Sequence, residues 1–253
     1  MTIDAPRNDQ RPALWALWQE AFGDSSDFLA RFESTAFSPD RCRCVTVDGR
    51  IGAALYWFDC ALNGQPIAYL YAIATAPDLR GRGLCRALVW DTHEQLRARG
   101  YAGAVLVPGS RPLFELYEKL GYRTCSSIGE LCCSASADGT VLRQIELTEY
   151  ADLRRTLLPK NSVIQEQENL TFLRTQATLY TGQGFLLAAR RESDTLYGME
   201  LLGDPTAAPA IVRALGCQMG RFRAPGTDRP FAMYHPLRDR APPPPAYFGL
   251  AFD

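Results

Sequence analysis

Histidine is nearly missing from this chain. Among 253 residues only His93 and His235 occur, and neither stands at a ligand spacing from a cysteine or from the other. Resident zinc draws on His and Cys clustered at short fixed spacings, so no metal is expected. The eight cysteines offer no substitute: Cys42 and Cys44 are separated by one residue, Cys132 and Cys133 are adjacent, and no C-x-x-C occurs. They read as reduced, mostly buried thiols. Also lacking is any apolar run of the roughly 20 residues that a bilayer span needs. The segment Met1 to Pro12 is polar, without the apolar core of a secretory signal, and a cytoplasmic location is the expectation. A formal net charge of −1 gives no excess of one sign to drive general binding to nucleic acid or to an anionic membrane. No Gly-Lys-Ser/Thr phosphate loop is present, and no three-glycine dinucleotide fingerprint in a β-α-β unit.

What is present is an ordinary globular composition, 47% hydrophobic and 22% charged, in a chain long enough for one large domain or two small ones. Two are expected. Leu14, Leu17, Trp18 and Ala21 recur at helical spacing, and Phe28, Leu29 and Phe32 suggest a second short helix. Three β-prone runs follow, Cys44 to Val47, Ile51 to Cys60 and Ile67 to Thr75. They are joined by Asp48-Gly49 and Asn63-Gly64, the strongest hairpin dipeptides, and so predict an antiparallel meander. Next come a helix with Leu84, Ala87, Leu88, Thr92 and Leu96 on one stripe and Gly100 as its C-cap, and a strand over Ala104 to Val107. A further helix places Leu113, Leu116, Tyr117 and Leu120 at i, i+3, i+4 and i+7, facing inward, and Ile128 to Ser134 gives one more strand. The polar, small-residue stretch Ser134 to Thr140 marks the domain boundary, dividing the chain into 1–136 and 141–253.

Between the third strand and the helix lies Arg80-Gly81-Arg82-Gly83-Leu84. Glycines let the main chain approach an anion closely, a helix N-terminus offers unpaired amides, and Arg80, Arg82 and Arg86 add positive charge. The turn suits a pyrophosphate, hence a phosphorylated carrier. A tight, solvated surface bend is the plainer alternative.

The block Tyr69 to Tyr122 carries a strand, an Arg80-x-x-Gly83 turn, a helix, a strand and the segment Leu116-Tyr117-Glu118-Lys119-Leu120-Gly121-Tyr122. In that order and separation it resembles the GNAT superfamily of acyl-CoA-dependent N-acetyltransferases, over roughly residues 1 to 135. Where the family has Gly or Ala at the end of the turn this chain has Cys85, which is also small. The resemblance implies an α+β (mixed α/β) GNAT fold, with a central, mostly antiparallel twisted sheet flanked by helices. It also implies acetyl-CoA as co-substrate. Ile73 and Thr75 would then offer main-chain groups to the pantetheine arm and the oxyanion. Arg80, Gly81, Arg82, Gly83, Leu84 and Cys85 would cradle the pyrophosphate, and Ser110 would join the coenzyme site. Tyr117 would protonate the departing thiolate as general acid. Without that motif an inward tyrosine is simply core filler.

An amine must also lose a proton, yet Ile67 to Ile73 contains no carboxylate where many family members place a glutamate. Tyr69, Tyr71 and the Tyr56-Trp57-Phe58 cluster are expected either to line an aromatic acceptor pocket suited to a cationic or apolar amine, or to be core. The second half reads as a smaller α+β domain. It has helices over Thr148 to Leu158, Gln165 to Tyr180 and Thr206 to Leu215, a hairpin of Phe185 to Arg190 with Leu196 to Leu202, and a strand over Phe231 to Tyr234. It has no second Arg-x-x-Gly turn, so a diverged copy of the first fold would have lost coenzyme binding. The stretch Tyr247 to Phe252 is apolar and should be buried. By analogy with two-domain enzymes of the enhanced-intracellular-survival type, Asp253 would supply the base. Its alternative is a terminal charge in water. The function implied is transfer of acetyl from acetyl-CoA to a small-molecule primary amine. The alternatives are a non-catalytic acyl-CoA-binding or regulatory module and a protein or peptide N-acetyltransferase. Oligomeric state is left open.

Overall fold

The computed structural model describes residues 1–252. The chain opens with β1 (Thr2–Asp4), α1 (Arg11–Phe22) and α2 (Ser26–Thr35), the last capped by Ser25, whose hydroxyl accepts from the Phe28 amide at 3.2 Å. The meander follows as β2 (Cys42–Val47), β3 (Arg50–Leu62) and β4 (Gln65–Thr75). At its two turns Asp48 and Gly49, then Asn63 and Gly64, all have positive φ, as type I′ hairpins require. Then come α3 (Leu84–Ala98), β5 (Gly103–Leu106), α4 (Arg111–Lys119) and β6 (Arg123–Ser134), in which the extended segment expected to resume at Tyr122 and the strand expected from Ile128 are one.

The second half contains β7 (Leu142–Gln144), α5 (Leu147–Leu157), β8 (Ile164–Gln165), α6 (Glu168–Arg174), β9 (Thr178–Gly182), β10 (Phe185–Glu192), β11 (Thr195–Gly203), α7 (Ala208–Ala214), β12 (Met219–Pro225) and β13 (Arg229–Pro236). The expected helix from Gln165 to Tyr180 is wrong at both ends. Gln165 pairs with Cys60 of β3, and Thr178 to Gly182 pair with β10, so ladder partners far along the chain override the local pattern. β12 was not foreseen, because Gly220 and alternating arginines give it little β signal.

One 13-stranded sheet runs in the order β1-β2-β3-β4-β5-β13-β6-β12-β11-β10-β9-β7, with β8 on β3. Among the strands of the described residues, only β4 with β5 and β11 with β12 are parallel. β13, from the far end of the chain, lies between β5 and β6, pairing Met233 with Leu106 on one side and Tyr234 with Arg123 on the other. The main core is likewise shared. Phe172 of α6 meets Phe32 at 5.4 Å and Phe58 at 5.9 Å between ring centroids, and Phe252 meets Phe58 and Phe172 at 5.0 Å each. Such aromatic contacts add to large buried apolar area. A second, smaller core under α7 joins Phe185, Leu187, Ile211, Val212 and Phe222.

Candidate active site

β4 and β5 pair only from Ile67 with Gly103 to Tyr69 with Val105. Beyond that point they part, because β3 holds the other edge of β4 and β13 the other edge of β5. At the parting β4 bulges: its register against β3 shifts between Ala54 and Tyr56, and Ala72 has φ +47°. Ala72 and Ile73 together face Leu55 of β3, and a bulge leaves its one extra residue out of the ladder. A cleft of about 790 Å³ opens there. Tyr69, Tyr71 and Ile73 of β4 line one wall, Pro108, Gly109, Leu113 and Tyr117 another, and Trp18, Phe28 and Phe252 close in from the helices and the tail.

Tyr117 is 6% exposed and faces this cleft. Burial, and then the Cys85 sulfur, pushes its phenol well above the ordinary value, so it stays protonated through the neutral range. Its ring meets Tyr122 edge-on at 5.9 Å. The Tyr122 hydroxyl lies 2.7 Å from His93 Nε2, and His93 stacks on His235 at 4.5 Å with ring planes 7° apart. Both histidines of the chain therefore buttress the tyrosine behind Tyr117. Burial, with His235 and Arg97 nearby, lowers His93 to about 3. The companions of Tyr117 on its helix are less buried than their spacing predicted. Leu113 and Leu116 are each 36% exposed, because α4 stands at the cleft mouth, where nothing covers its outer side.

The turn has the conformation its glycines allow. Gly81 and Gly83 have φ +76° and +79°, where a side chain would be strained, and Arg80 to Gly83 are exposed. Gly83 is the N-cap of α3 and makes no side-chain cap bond, which leaves the first-turn amides to an outside acceptor. Leu84 is buried and Cys85 half-buried, so these two anchor the turn. Arg80 Nε donates to the Thr75 carbonyl at 3.2 Å, clipping the turn onto the end of β4 and engaging one of the groups expected to serve pantetheine. Ile73 lines the cleft, whereas Thr75 does not. Ser110 is the exposed N-cap of α4 and makes no side-chain cap bond.

Of the aromatic residues expected around the acceptor, Tyr69 and Tyr71 line the cleft, but Tyr56, Trp57 and Phe58 are core, each at most 2% exposed. They sit on β3, in the sheet interior: Tyr56 packs against Trp18 of α1 and Phe32 of α2, Phe58 against Phe172 of α6, and Trp57 has the Arg99 guanidinium 5.5 Å from its ring centroid. Tyr247, Phe248, Leu250, Ala251 and Phe252 are buried, as their composition predicts. The Tyr71 hydroxyl donates to the Phe252 carbonyl at 2.6 Å, fixing that part of the tail against β4. Asp253 lies outside the described residues. Sequence reasoning missed Asp24, the one carboxylate among the described residues lining the cleft; it accepts from Trp18 Nε1 at 2.7 Å. It stands in the turn before α2, outside every motif that the sequence offers. No group of His, Cys, Asp and Glu that could hold a metal occurs among the described residues.

A cleft between two diverging parallel strands, with a bulged strand on one wall, a tyrosine on the other and a glycine-arginine turn beyond, is the arrangement that the resemblance to the GNAT superfamily implies. Residues 2–125 match the family model of the acetyltransferase (GNAT) domain, and this part of the chain is a GNAT domain. The N-acetyltransferase Eis of Mycobacterium bovis is 29% identical over 144 residues, and that of Mycobacterium tuberculosis 30% identical over 145. Each match covers 52% of this chain and 34% of the relative, so the matched stretch spans about a third of the relatives' own length. In fold, the chain is similar to a GCN5-related N-acetyltransferase from Anabaena variabilis, with a TM-score of 0.74 and 15% identity over 94% of this chain and 73% of that one. It is also similar to Eis1 from Mycobacterium abscessus, with a TM-score of 0.65 and 14% identity over 94% and 74%. The mixed α/β, GNAT-type fold expected from the sequence is the fold observed.

Proposed function

We propose that this protein is an acetyl-CoA-dependent N-acetyltransferase acting on a small-molecule primary amine by direct attack in a ternary complex. The observation that carries this reading is that one cleft is lined both by Ile73, in the bulge of β4, and by the protonated Tyr117. The first-turn amides of α3, with Gly81 and Gly83, hold the pyrophosphate. The thioester carbonyl lies against the bulge. The amine nitrogen attacks the carbonyl carbon, and a main-chain N–H of the bulge stabilises the oxyanion. Collapse breaks the carbon–sulfur bond, and the thiolate takes the proton of Tyr117. The proton lost by the amine passes to a carboxylate at the acceptor side. Asp24, which lines the cleft, is one carboxylate suited to receive it, and by the resemblance to two-domain relatives Asp253 is the other proposed. Residues 141–253 contribute the acceptor wall in this reading.

The absence of a carboxylate from Ile67 to Ile73 favours a second reading, a module that binds acyl-CoA without turning it over. Two measurements separate them. Coenzyme A at about 100 times its dissociation constant should stabilise the folded protein by about 2.7 kcal/mol, which both readings expect. Thiol release from acetyl-CoA across an amine panel should then reveal turnover, and Tyr117→Phe should reduce kcat about 100-fold or more while coenzyme affinity holds. Tight coenzyme binding with no thiol release on any amine would favour the module. Loss of coenzyme binding in the variant would make Tyr117 structural.

A further inference from the structure

The sheet face that carries the cleft continues past the tail onto β12, β11 and β10, and there it changes character. Side chains alternate along a strand. Gly220, Phe222 and Ala224 of β12 are buried, while Arg221 is exposed and Arg223 half-buried on the opposite face. Arg221 stands across from Tyr197 of β11 and Cys132 of β6, and Arg190 across from the same Tyr197. With Arg229 at the start of β13 these residues enclose a recess of about 250 Å³. Four guanidinium groups line it, against one carboxylate, Glu130, among the described residues.

The recess adjoins the cleft. Arg190 and Arg229 line both, and Arg223 Nη1 donates to the Ala251 carbonyl at 3.2 Å, next to the cleft-lining Phe252. Rim carboxylates offset part of the charge: Arg190 Nε pairs with Glu192 at 2.7 Å and Arg229 Nε with Glu130 at 2.5 Å. A guanidinium carries five N–H donors, so one pair through Nε does not exhaust it. Arg221 makes no ion pair among the described residues. On the cleft side Arg31 adds another cation, and Asp24 already accepts a bond from Trp18. The coenzyme turn does not account for the arginines, since Arg80 to Cys85 line neither space.

We infer that the acceptor carries an anionic group, a carboxylate or a phosphate, on the same molecule as its amine. The amine enters the aromatic cleft beside Tyr69 and Tyr71, and the anion reaches Arg190, Arg221 and Arg229 in the recess. This rests on the acetyltransferase reading for the fate of the amine, but the anion site stands on the arginines alone. Planar guanidinium forks match carboxylate and phosphate oxygens in pairs, and a cation in the same place would meet like charge.

Homologous ω-amino carboxylates and ω-amino alkylphosphates of increasing chain length, compared with n-alkylamines and α,ω-diamines of the same lengths, test the inference by thiol release. At the length that spans the two spaces, an anionic amine should exceed the matched alkylamine in kcat/KM by about tenfold or more, the worth of one charge-assisted hydrogen bond. The advantage should fall with added salt and collapse in Arg221→Glu. Whichever anionic series gains more identifies the oxygen group. Equal rates for anionic and uncharged amines at every length, or a preference for diamines, would overturn the inference and leave the acetyltransferase reading intact. If no amine is turned over, calorimetric binding of the same ω-amino alkylphosphates decides. Binding that Arg221→Glu abolishes upholds the anion site while the acetyltransferase reading falls; absence of binding overturns the site as well.

Discussion

His93 is 2% exposed, and its pKa is lowered from an ordinary value of 6.5 to about 3 by burial, with His235 and Arg97 adding to the shift. The folded protein therefore keeps this imidazole neutral, whereas the unfolded chain takes up a proton near pH 6.5. The sign follows directly: stability associated with His93 is present above 6.5 and is lost as pH falls from there toward 3, by about 1.4 kcal/mol per pH unit. His93→Gln removes the titration, so the loss of unfolding free energy between pH 7 and pH 5, measured by urea denaturation, should be about 2 kcal/mol smaller in the variant. An identical loss in both proteins would mean that the fold tolerates a charged His93. Nothing in the sequence marked this residue. A lone histidine on a helical stripe is silent until Tyr122 and His235 are brought to it by β6 and β13.

At the scale of elements, the C-terminal segment is held by a buried network that local patterns do not reveal. Arg154 and Glu200, 2% and 0% exposed at their side chains, pair at 2.6 Å. Tyr150 and Tyr247 donate to Glu200 at 3.3 and 3.2 Å, and Arg154 donates to Gln165 Oε1 at 3.4 Å. Gln165 in turn donates to the Leu250 carbonyl at 2.6 Å and accepts from its amide at 3.1 Å. A buried ion pair is tolerated only when its remaining donors and acceptors are met, and the tail completes this one. Gly249 is where the tail passes closest: a Cβ there would overlap the Glu200 carboxylate and crowd the Tyr247 hydroxyl. Gly249→Ala should cost about 1–3 kcal/mol by overpacking and lower kcat by unseating Phe252, while the stabilisation by coenzyme A persists, because the turn at Arg80 to Gly83 lies on another element. A variant with unchanged melting temperature and turnover would show that the tail seat is not strictly specified. The apolar composition of Tyr247 to Phe252 announced burial but could not say against what.

The whole molecule is tied together by a strand that returns late. β13 closes the gap between β5 and β6, and Phe172, Phe248 and Phe252 complete the core of the first half. The division into 1–136 and 141–253 remains our proposal about organisation. Its topology carries a prediction: residues 1–139 expressed alone leave β5 and β6 without the strand between them and should not melt cooperatively. A fragment that does so and is stabilised by coenzyme A would show the first half to be self-sufficient. No helix among the described residues is long and apolar enough to cross a membrane.

The sequence by itself determined whatever depends on near neighbours. The Asp48-Gly49 and Asn63-Gly64 hairpins, the left-handed glycines of the Arg80 to Leu84 turn and the helical periodicity of α1, α3 and α5 all rest on interactions within a few residues, and each is found where the pattern places it. The Arg80-x-x-Gly83 turn followed by the Tyr117 helix pointed to the GNAT fold for the same reason. Tertiary structure alone decided which side chains share the cleft and which arginines gather beside it. Trp18, Tyr71, Tyr117, Arg229 and Phe252 meet through strand pairing and core packing between residues far apart in the chain, and those long-range contacts leave no local period to read.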